Sequence, residues 1–241
     1  MKKVFMFLAV VLTFSFQLLR AFSCFAAEQA KEKGLIAYWS FDDGKGAKAK
    51  DMSGNGLDVE IGSCEWAKGK VGGALLFNGV DSVIPIDGGE DKLRAGKALT
   101  ISAWVKFNDL ENYQEIFNDN QFFLRKDNPA EGDKFSLFVK TPDGSPEPRA
   151  QVADIACEVD KWFFVAATWD GKACTIYLNG KAGGNSDRAA PLTDELVTPT
   201  IGGGEQTNVS GNCFNGIIDE LKIYNRCLTA DEIKAAFAAA K

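Results

Sequence analysis

Histidine is missing from all 241 residues of the chain, and its absence removes whole chemistries. A Ser-His-Asp relay, a Cys-His nucleophile pair and a zinc site that uses imidazole cannot be built without it. No two of the six cysteines, at positions 24, 64, 157, 174, 213 and 227, are spaced C-x-x-C, so neither a zinc knuckle nor a redox dithiol is signalled. Positive charge is also short: 27 Lys and Arg against 33 Asp and Glu leave a formal charge of −6. A chain of that sign is a poor match for nucleic acid or an anionic membrane surface. No apolar run reaches the ~20 residues that a transmembrane helix requires.

The longest apolar stretch, residues 4–19, sits at the very start. It follows the basic Met1-Lys2-Lys3 and leads into small residues, and no acid appears before Glu28. This pattern predicts a secretory signal peptide over residues 1–27 and export to periplasm, cell surface or medium. Cleavage after Ala26 or after Ser23 fits the small-residue rule. The second option would expose Cys24, but Ala21-Phe22-Ser23 lacks the Leu of a lipobox, which argues against a lipid anchor. Losing Lys2, Lys3 and Arg20 moves the charge from −6 to −9. Residues 28–241 then read as one domain, with no Ser/Pro-rich or low-complexity break. Export would allow the remaining five cysteines to form disulfides, although their spacing selects no pairing. Cys213 and Cys227 flank an expected strand over 216–224 and lie too far apart for a direct bridge.

The most informative stretch is 162–184, WFFVAATWDGKACTIYLNGKAGG. Asp170-Gly171 and Asn179-Gly180 accept the positive φ of tight hairpin turns. They bracket two runs, Trp162–Trp169 and Ala173–Leu178, and so predict three strands of an antiparallel meander. The first run is apolar on both faces, as in the middle of a sheet covered on both sides. Leu99–Phe107 alternates cleanly. Further strands are expected at 35–41, 57–61, 74–78, 82–86, 115–117, 121–125, 135–141, 149–157, 200–202 and 216–224, each bounded by turn residues. Thr229 and Glu232 form a capping box, and Leu228 with Ile233 a hydrophobic staple, for one closing helix. About a dozen short strands and almost no other helix predict an all-β fold, a two-sheet antiparallel jelly-roll sandwich with one short C-terminal helix.

Taken in order, LIAYWSFDD, DMSGNGLD, GGALLFNGVDSVIPI, LTISAWVKF, KWFFVAATWDGKACTIYLNG and FNGIIDELKIYNRCLTADEI resemble the LamG-like jelly-roll domain of the concanavalin A-like lectin/glucanase superfamily. The resemblance runs from Leu35 to about Phe237. It implies two curved antiparallel sheets, with the first and last strands neighbours in one of them. The fold hosts lectins, glycan-binding modules, adhesion domains, glucanases and lyases, so function has to be argued at the site.

Three kinds of site are expected. Asp42, Asp51 and Asp219, with Asn55, could converge on a structural Ca²⁺ if the first and last strands are neighbours, since hard oxygen ligands suit that ion. The plainer alternative is that Asp51 and Asn55 cap their own turn while Asp219 accepts N–H bonds from a nearby loop. For ligand binding, Trp66, Tyr113 and Phe122 lie in or beside polar loops with Asn118, Asp119, Asn120 and Arg125. Aromatic faces can stack on sugar C–H groups while amides, carboxylates and guanidinium take the hydroxyls. The alternative is that these aromatics fill the core. An enzyme of this fold would carry E-x-D-x-E; Glu158-Val-Asp160 continues into Lys161-Trp162, and Asp219-Glu220 are expected to point to opposite faces of a strand. Tyr113 and Arg125 stay open as a lyase base and its partner. The reading is a non-catalytic binding module for extracellular or cell-surface carbohydrate, with a protein-binding adhesion module as the alternative. Asn208-Val-Ser210 fits a glycosylation acceptor.

Overall fold

In the computed structural model of the chain, residues 32–240 are described apart from 95, 146–148, 153–156, 190, 196 and 205–211. Residues from Gly34 onward belong to one compact unit. Residues 1–27, where a signal peptide is expected, with Cys24 among them, and Asn208-Val-Ser210 lie outside the described residues. In chain order the strands are β1 (Leu35–Trp39), β2 (Lys48–Ala49), β3 (Val59–Glu60), β4 (Glu65–Lys68), β5 (Gly73–Asn78), β6 (Ile84–Pro85), β7 (Leu99–Phe107) and β8 (Gln114–Asn118). They continue as β9 (Phe122–Lys126), β10 (Phe135–Val139), β11 (Ala150–Gln151), β12 (Trp162–Trp169), β13 (Ala173–Leu178), β14 (Lys181–Asp187), β15 (Thr200–Ile201) and β16 (Asn215–Tyr224), and the chain closes with helix α1 (Ala230–Ala239).

Two antiparallel sheets face each other. The first runs β14-β13-β12-β7-β16-β5-β4, with β1 also on β16; the second runs β11-β10-β9-β8-β15-β6. The expected meander is β12-β13-β14, turned at Asp170 and at Asn179, whose φ is 50°. The first and last strands pair as the resemblance implies, Trp39 opposite Leu221 and Tyr38 opposite Lys222. The strand β4, a glycine-broken stretch in the sequence, is the element that the turn signals hide: it hairpins onto β5 through Gly69–Gly72.

Strand parity decides what fills the middle. From the first sheet Trp39, Ile101, Val105, Phe107, Val165 and Ile218 point inward, and from the second Phe117, Phe122, Leu124, Phe135 and Leu137 meet them, all buried in one core. Phe107 packs on Phe135 with ring centroids 5.8 Å apart, and Phe122 on Trp169 at 5.4 Å. The opposite face of β7, β12 and β16 has a second, smaller core. There α1 lays Ile233 and Phe237 against Trp104, Phe164 and Tyr224, with Phe237 stacked on Trp104 at 5.5 Å. This explains why β12 is apolar on both faces. The capping box is present: Glu232 N–H donates to Thr229 Oγ1 and Thr229 N–H to Glu232 Oε2.

One residue makes the central strand workable. Between Asp219 and Lys222 the register of β16 on β7 slips, and Glu220 sits at φ 53°. The bulge changes parity: Ile218 faces the main core before it, Leu221 and Ile223 after it. Asp219 and Glu220 therefore both lie on the outer face, which corrects the expectation of opposite faces. At the other end of β16, Gly216 at φ 150° passes so close to the Lys106 carbonyl that a Cβ would clash with it. Gly216→Ala is expected to lower the unfolding free energy by roughly 2–4 kcal/mol. Gly96→Ala, with open space around it, is expected to stay within about 0.5 kcal/mol. Urea unfolding of both variants checks the pair.

Candidate functional site

The polar face of the domain is the outer side of the second sheet. Because Phe122 and Leu124 face the core, Phe123 and Arg125 must face away from it. Registers across the sheet then line up two outward rows: Glu115, Arg125, Ser136 and Gln151 in one, and Asn118, Phe123 and Phe138 in the other. A single helical turn closes over one end. Asn128 accepts the Glu131 N–H at 3.1 Å, Pro129 starts the turn, and Gly132 ends it in the left-handed region. That turn carries Glu131 back over the rows, where Tyr113 and Arg149 reach it.

Among the described residues the charged groups of this face pair with one another. Arg125 Nε donates to Asp127 Oδ1 at 2.9 Å, and Arg149 Nη1 lies 3.7 Å from the same oxygen. Ser136 Oγ and Gln151 Nε2 donate to the other Asp127 oxygen. Glu131 accepts from the Tyr113 hydroxyl and from Arg149 Nη2, with Arg125 at 4.0 Å. The guanidinium of Arg125 lies 4.1 Å from the Tyr113 ring centre and 4.4 Å from that of Phe138; Arg149 is 4.9 Å from Phe138. Phe123 and Phe138 stack in parallel at 4.3 Å. These contacts set the protonation states. The hydrogen bond from Tyr113, and then Arg149, hold the Glu131 carboxyl below its ordinary value. The same bond to Glu131 raises the Tyr113 phenol. Burial raises Glu115, which accepts from Asn118 Nδ2 at 2.9 Å.

Of the seven residues expected to bind ligand, the structure gathers Tyr113, Asn118 and Arg125 on this face. Asn120 is at the β8–β9 turn with φ 68°, donating to Glu195 and accepting from Lys140 at 2.9 Å. Trp66 is elsewhere, on β4 of the first sheet, its indole N–H donating to the Gly46 carbonyl at 2.9 Å. Asp119 and Phe122 are buried, which corrects their placement on a ligand face. Asp119 caps its own turn by accepting the Phe122 N–H at 2.6 Å, and Phe122 has core parity and is fully buried. The aromatic on the outward parity is its neighbour Phe123. Phe138, Asp127, Glu131 and Arg149 were also missed. Period-two alternation through β10 could have given Phe138, whereas the last three depend on how loops return.

The three candidate calcium ligands do not converge. Asp51 takes four backbone N–H groups, Tyr38 and Ser53 on Oδ1, Asn55 and Leu57 on Oδ2. Burial alone would raise its pKa, but those bonds hold it below the ordinary value. An oxygen pair surrounded by N–H dipoles suits the end of a turn and offers nothing to a cation. Asp42 and Asp219 instead clamp the β4–β5 turn. Asp42 Oδ1 accepts the Gly73 N–H at 2.7 Å, and Asp219 Oδ2 accepts that of Val71 at 2.9 Å. Asp219 Oδ1 is buried without a hydrogen-bond partner. Among the described residues no group of three Cys, Asp or Glu side chains is placed to hold an ion, so the set does not fit calcium. None of the five described cysteines is joined in a disulfide, and burial pushes the thiols of Cys64, Cys157 and Cys174 up to about 12.

A profile described as the concanavalin A-like lectin/glucanases superfamily, from a laminin G family, matches residues 78–234. The chain belongs to this superfamily. Its fold is shared by binding modules and by some glycoside hydrolases. No curated protein sequence matches the chain. Among solved structures, this concanavalin A-like domain is similar to domain 4 of AbnA, a GH43 extracellular arabinanase from Geobacillus stearothermophilus solved with arabinotriose. The two share 24% identity at a TM-score of 0.64, over 85% of this chain and 98% of that one. The binding domain of Paraclostridial Mosquitocidal Protein 1 matches at 18% identity and 0.66, over 86% of this chain and 52% of the toxin domain. Trypanosoma rangeli sialidase matches at 19% and 0.62, over 85% of this chain and 33% of the enzyme. At these identities the likeness shows the fold. No helix among the described residues is long and apolar enough to cross a membrane.

Because Asp51 is surrounded by backbone donors and the three aspartates form no common group of ligands, the melting temperature is expected to be the same in EDTA and in millimolar Ca²⁺, as differential scanning fluorimetry would show. The pH dependence has a definite sign. Burial pushes Asp119 and Asp219 up to about 7, so the folded chain holds protons there that the unfolded chain has released. Stability from these groups is fully present below the unfolded value near 4 and is lost as pH rises through 7. Glu115 and Glu220, also raised by burial, act in the same direction. The melting temperature is expected to be higher at pH 5 than at pH 8, and Asp219→Asn to narrow the difference.

Proposed function

We propose that this chain is an exported, non-catalytic module that binds extracellular or cell-surface carbohydrate on the outer face of its second sheet. The observation that carries the reading is the pair of guanidinium groups, Arg125 and Arg149, packed on aromatic rings and fixed by Asp127 and Glu131. Planar donors held rigid before a ligand arrives lose little freedom on binding. They lie beside amides at Asn118 and Gln151 and the ring of Phe123, a mixture suited to hydroxyls and sugar C–H faces. The presence of arabinotriose in the related arabinanase domain supports the reading, and the composition of residues 1–27 supports export.

Two further observations favour this reading over its competitors. A lyase base needs a lowered pKa, and Tyr113 is raised by its bond to Glu131. A protein-docking surface would present a contiguous apolar patch, and the large exposed apolar side chains among the described residues number only three, Met52, Val80 and Val159. In affinity electrophoresis or on a glycan array, Arg125→Ala is expected to weaken binding by roughly tenfold or more, with Trp66→Ala as a comparison outside the face. Retention undiminished in Arg125→Ala would move the site elsewhere, and sugar release from laminarin, xylan or alginate would remove the non-catalytic part.

A further inference from the structure

We infer that the face takes an uncharged glycan and rejects acidic ones, and that Glu131 is the residue that sets this preference. The inference rests on the carbohydrate reading above and names the class of sugar.

Two guanidiniums on one face would ordinarily point to a carboxylated or sulfated ligand, because the planar fork matches those groups in pairs. Here that capacity is already used. Arg125 and Arg149 are balanced by Asp127 and Glu131 through contacts at 2.9, 3.7 and 4.0 Å and the close Arg149–Glu131 pair. The nearby Lys126 is buried and paired with Asp133 at 3.0 Å. Among the described residues these two arginines and two acids balance one another, and a further acid, Glu115, stands opposite Arg125 in the same row. An acidic sugar would have to displace Glu131, a competitor tethered in place and so present at high effective concentration. It would also approach a chain of net charge −6, whose field disfavours polyanions.

A neutral sugar meets no such competition. Its hydroxyls can donate to the carboxylate oxygens of Glu131, whose side chain keeps 26% of its surface exposed, and accept from the Arg125 guanidinium and from the amides of Asn118 and Gln151. None of these contacts requires an ion pair to break. Glu131 is placed to decide the matter because it is held by Tyr113 on one oxygen and by Arg149 on the other. The turn that holds it also comes from outside the sheet, so its removal would leave both guanidiniums in place on Tyr113 and Phe138.

The test is native affinity electrophoresis of the full domain in gels containing neutral arabinan, xylan, galactan or laminarin, and in parallel gels containing polygalacturonate, alginate or hyaluronate. The expected result is retardation by at least one neutral polymer, unchanged when salt is raised, since no counterions are exchanged, and none by the acidic polymers. Retardation by acidic polymers alone, or retardation that disappears with salt, would overturn the inference and leave the carbohydrate reading standing. Retardation by no polymer would overturn both. Glu131→Gln supplies the second arm: it is expected to gain affinity for acidic polymers by about fivefold at low salt. If the variant melts cooperatively yet shows no gain, Glu131 does not set the preference. If it does not fold, Glu131→Ala is read in the same gels, and the absence of a gain in that variant removes Glu131 from the inference.

Discussion

One strand has to satisfy three partners, and the architecture depends on how it does so. β16 pairs with β7 along one edge and shares its other edge between β5 and β1. A regular ten-residue strand would keep one parity throughout, and its inward set could match the core at only one end. The bulge at Glu220 resolves this by adding a residue: Ile218 points inward on one side of it, Leu221 and Ile223 on the other. A non-glycine residue at positive φ costs of order 1 kcal/mol or more, and three inward aliphatic side chains outweigh it, each burial contributing roughly 1.5–3 kcal/mol. The displaced polar pair is then put to use on the outer face, Asp219 on the β4–β5 turn and Glu220 accepting the Tyr38 hydroxyl at 2.8 Å.

The second sheet solves the opposite problem. Its inner face is apolar, and on its outer face, where the described residues place no helix like α1, polar side chains such as Asp127, Ser136 and Glu115 are buried against one another. The chain places arginines where an aliphatic cover would serve equally well for stability. Ion pairs with exposures of 13–26% contribute little net free energy, because desolvation offsets most of the attraction. What such a network does supply is fixed geometry. Tyr113 and Phe138 hold Arg125 from two sides, and Asp127 accepts three hydrogen bonds with Arg149 at 3.7 Å, so the polar groups on this face are set before any ligand arrives. A rigid, balanced polar surface is a better explanation of these residues than stability is.

How much of this was legible in the sequence follows from the range of the signals. Alternation is local, and Leu99–Phe107, Trp162–Trp169 and Ala173–Leu178 could be drawn to the residue from it. The helix could be drawn from a capping box only four residues long. Asp219-Glu220 misled because a bulge leaves no mark in a sequence: only the register against β7 shows that both side chains share a face. β4 was hidden because its glycines serve a tight turn at which Gly69 and Gly72 come against Asp219 and Asp42, and glycine in sequence looks the same whether it breaks a strand or lets two meet. At the site the error was one of parity. Phe122 and Phe123 are chemically identical, and a one-residue shift decides which of them packs on Trp169 and which faces outward. Glu131 and Arg149 could not be found at all, because their meeting depends on a loop and a strand closing from different parts of the chain.

The aspartates carry the same lesson at the level of single atoms. Asp42, Asp51, Asp119 and Asp219 have the same charge, and from sequence each could be read as a ligand for a metal or a sugar. Their surroundings separate them. Asp51 is surrounded by four N–H donors and stays an anion; Asp119 and Asp219 each keep one buried oxygen without a donor, and their carboxyls rise toward neutrality. A carboxylate becomes available to a ligand only where its lone pairs are neither used by the backbone nor removed from water. On this domain Glu131 meets that condition: its partners are side chains, its surface is partly open, and the arginines beside it keep it charged.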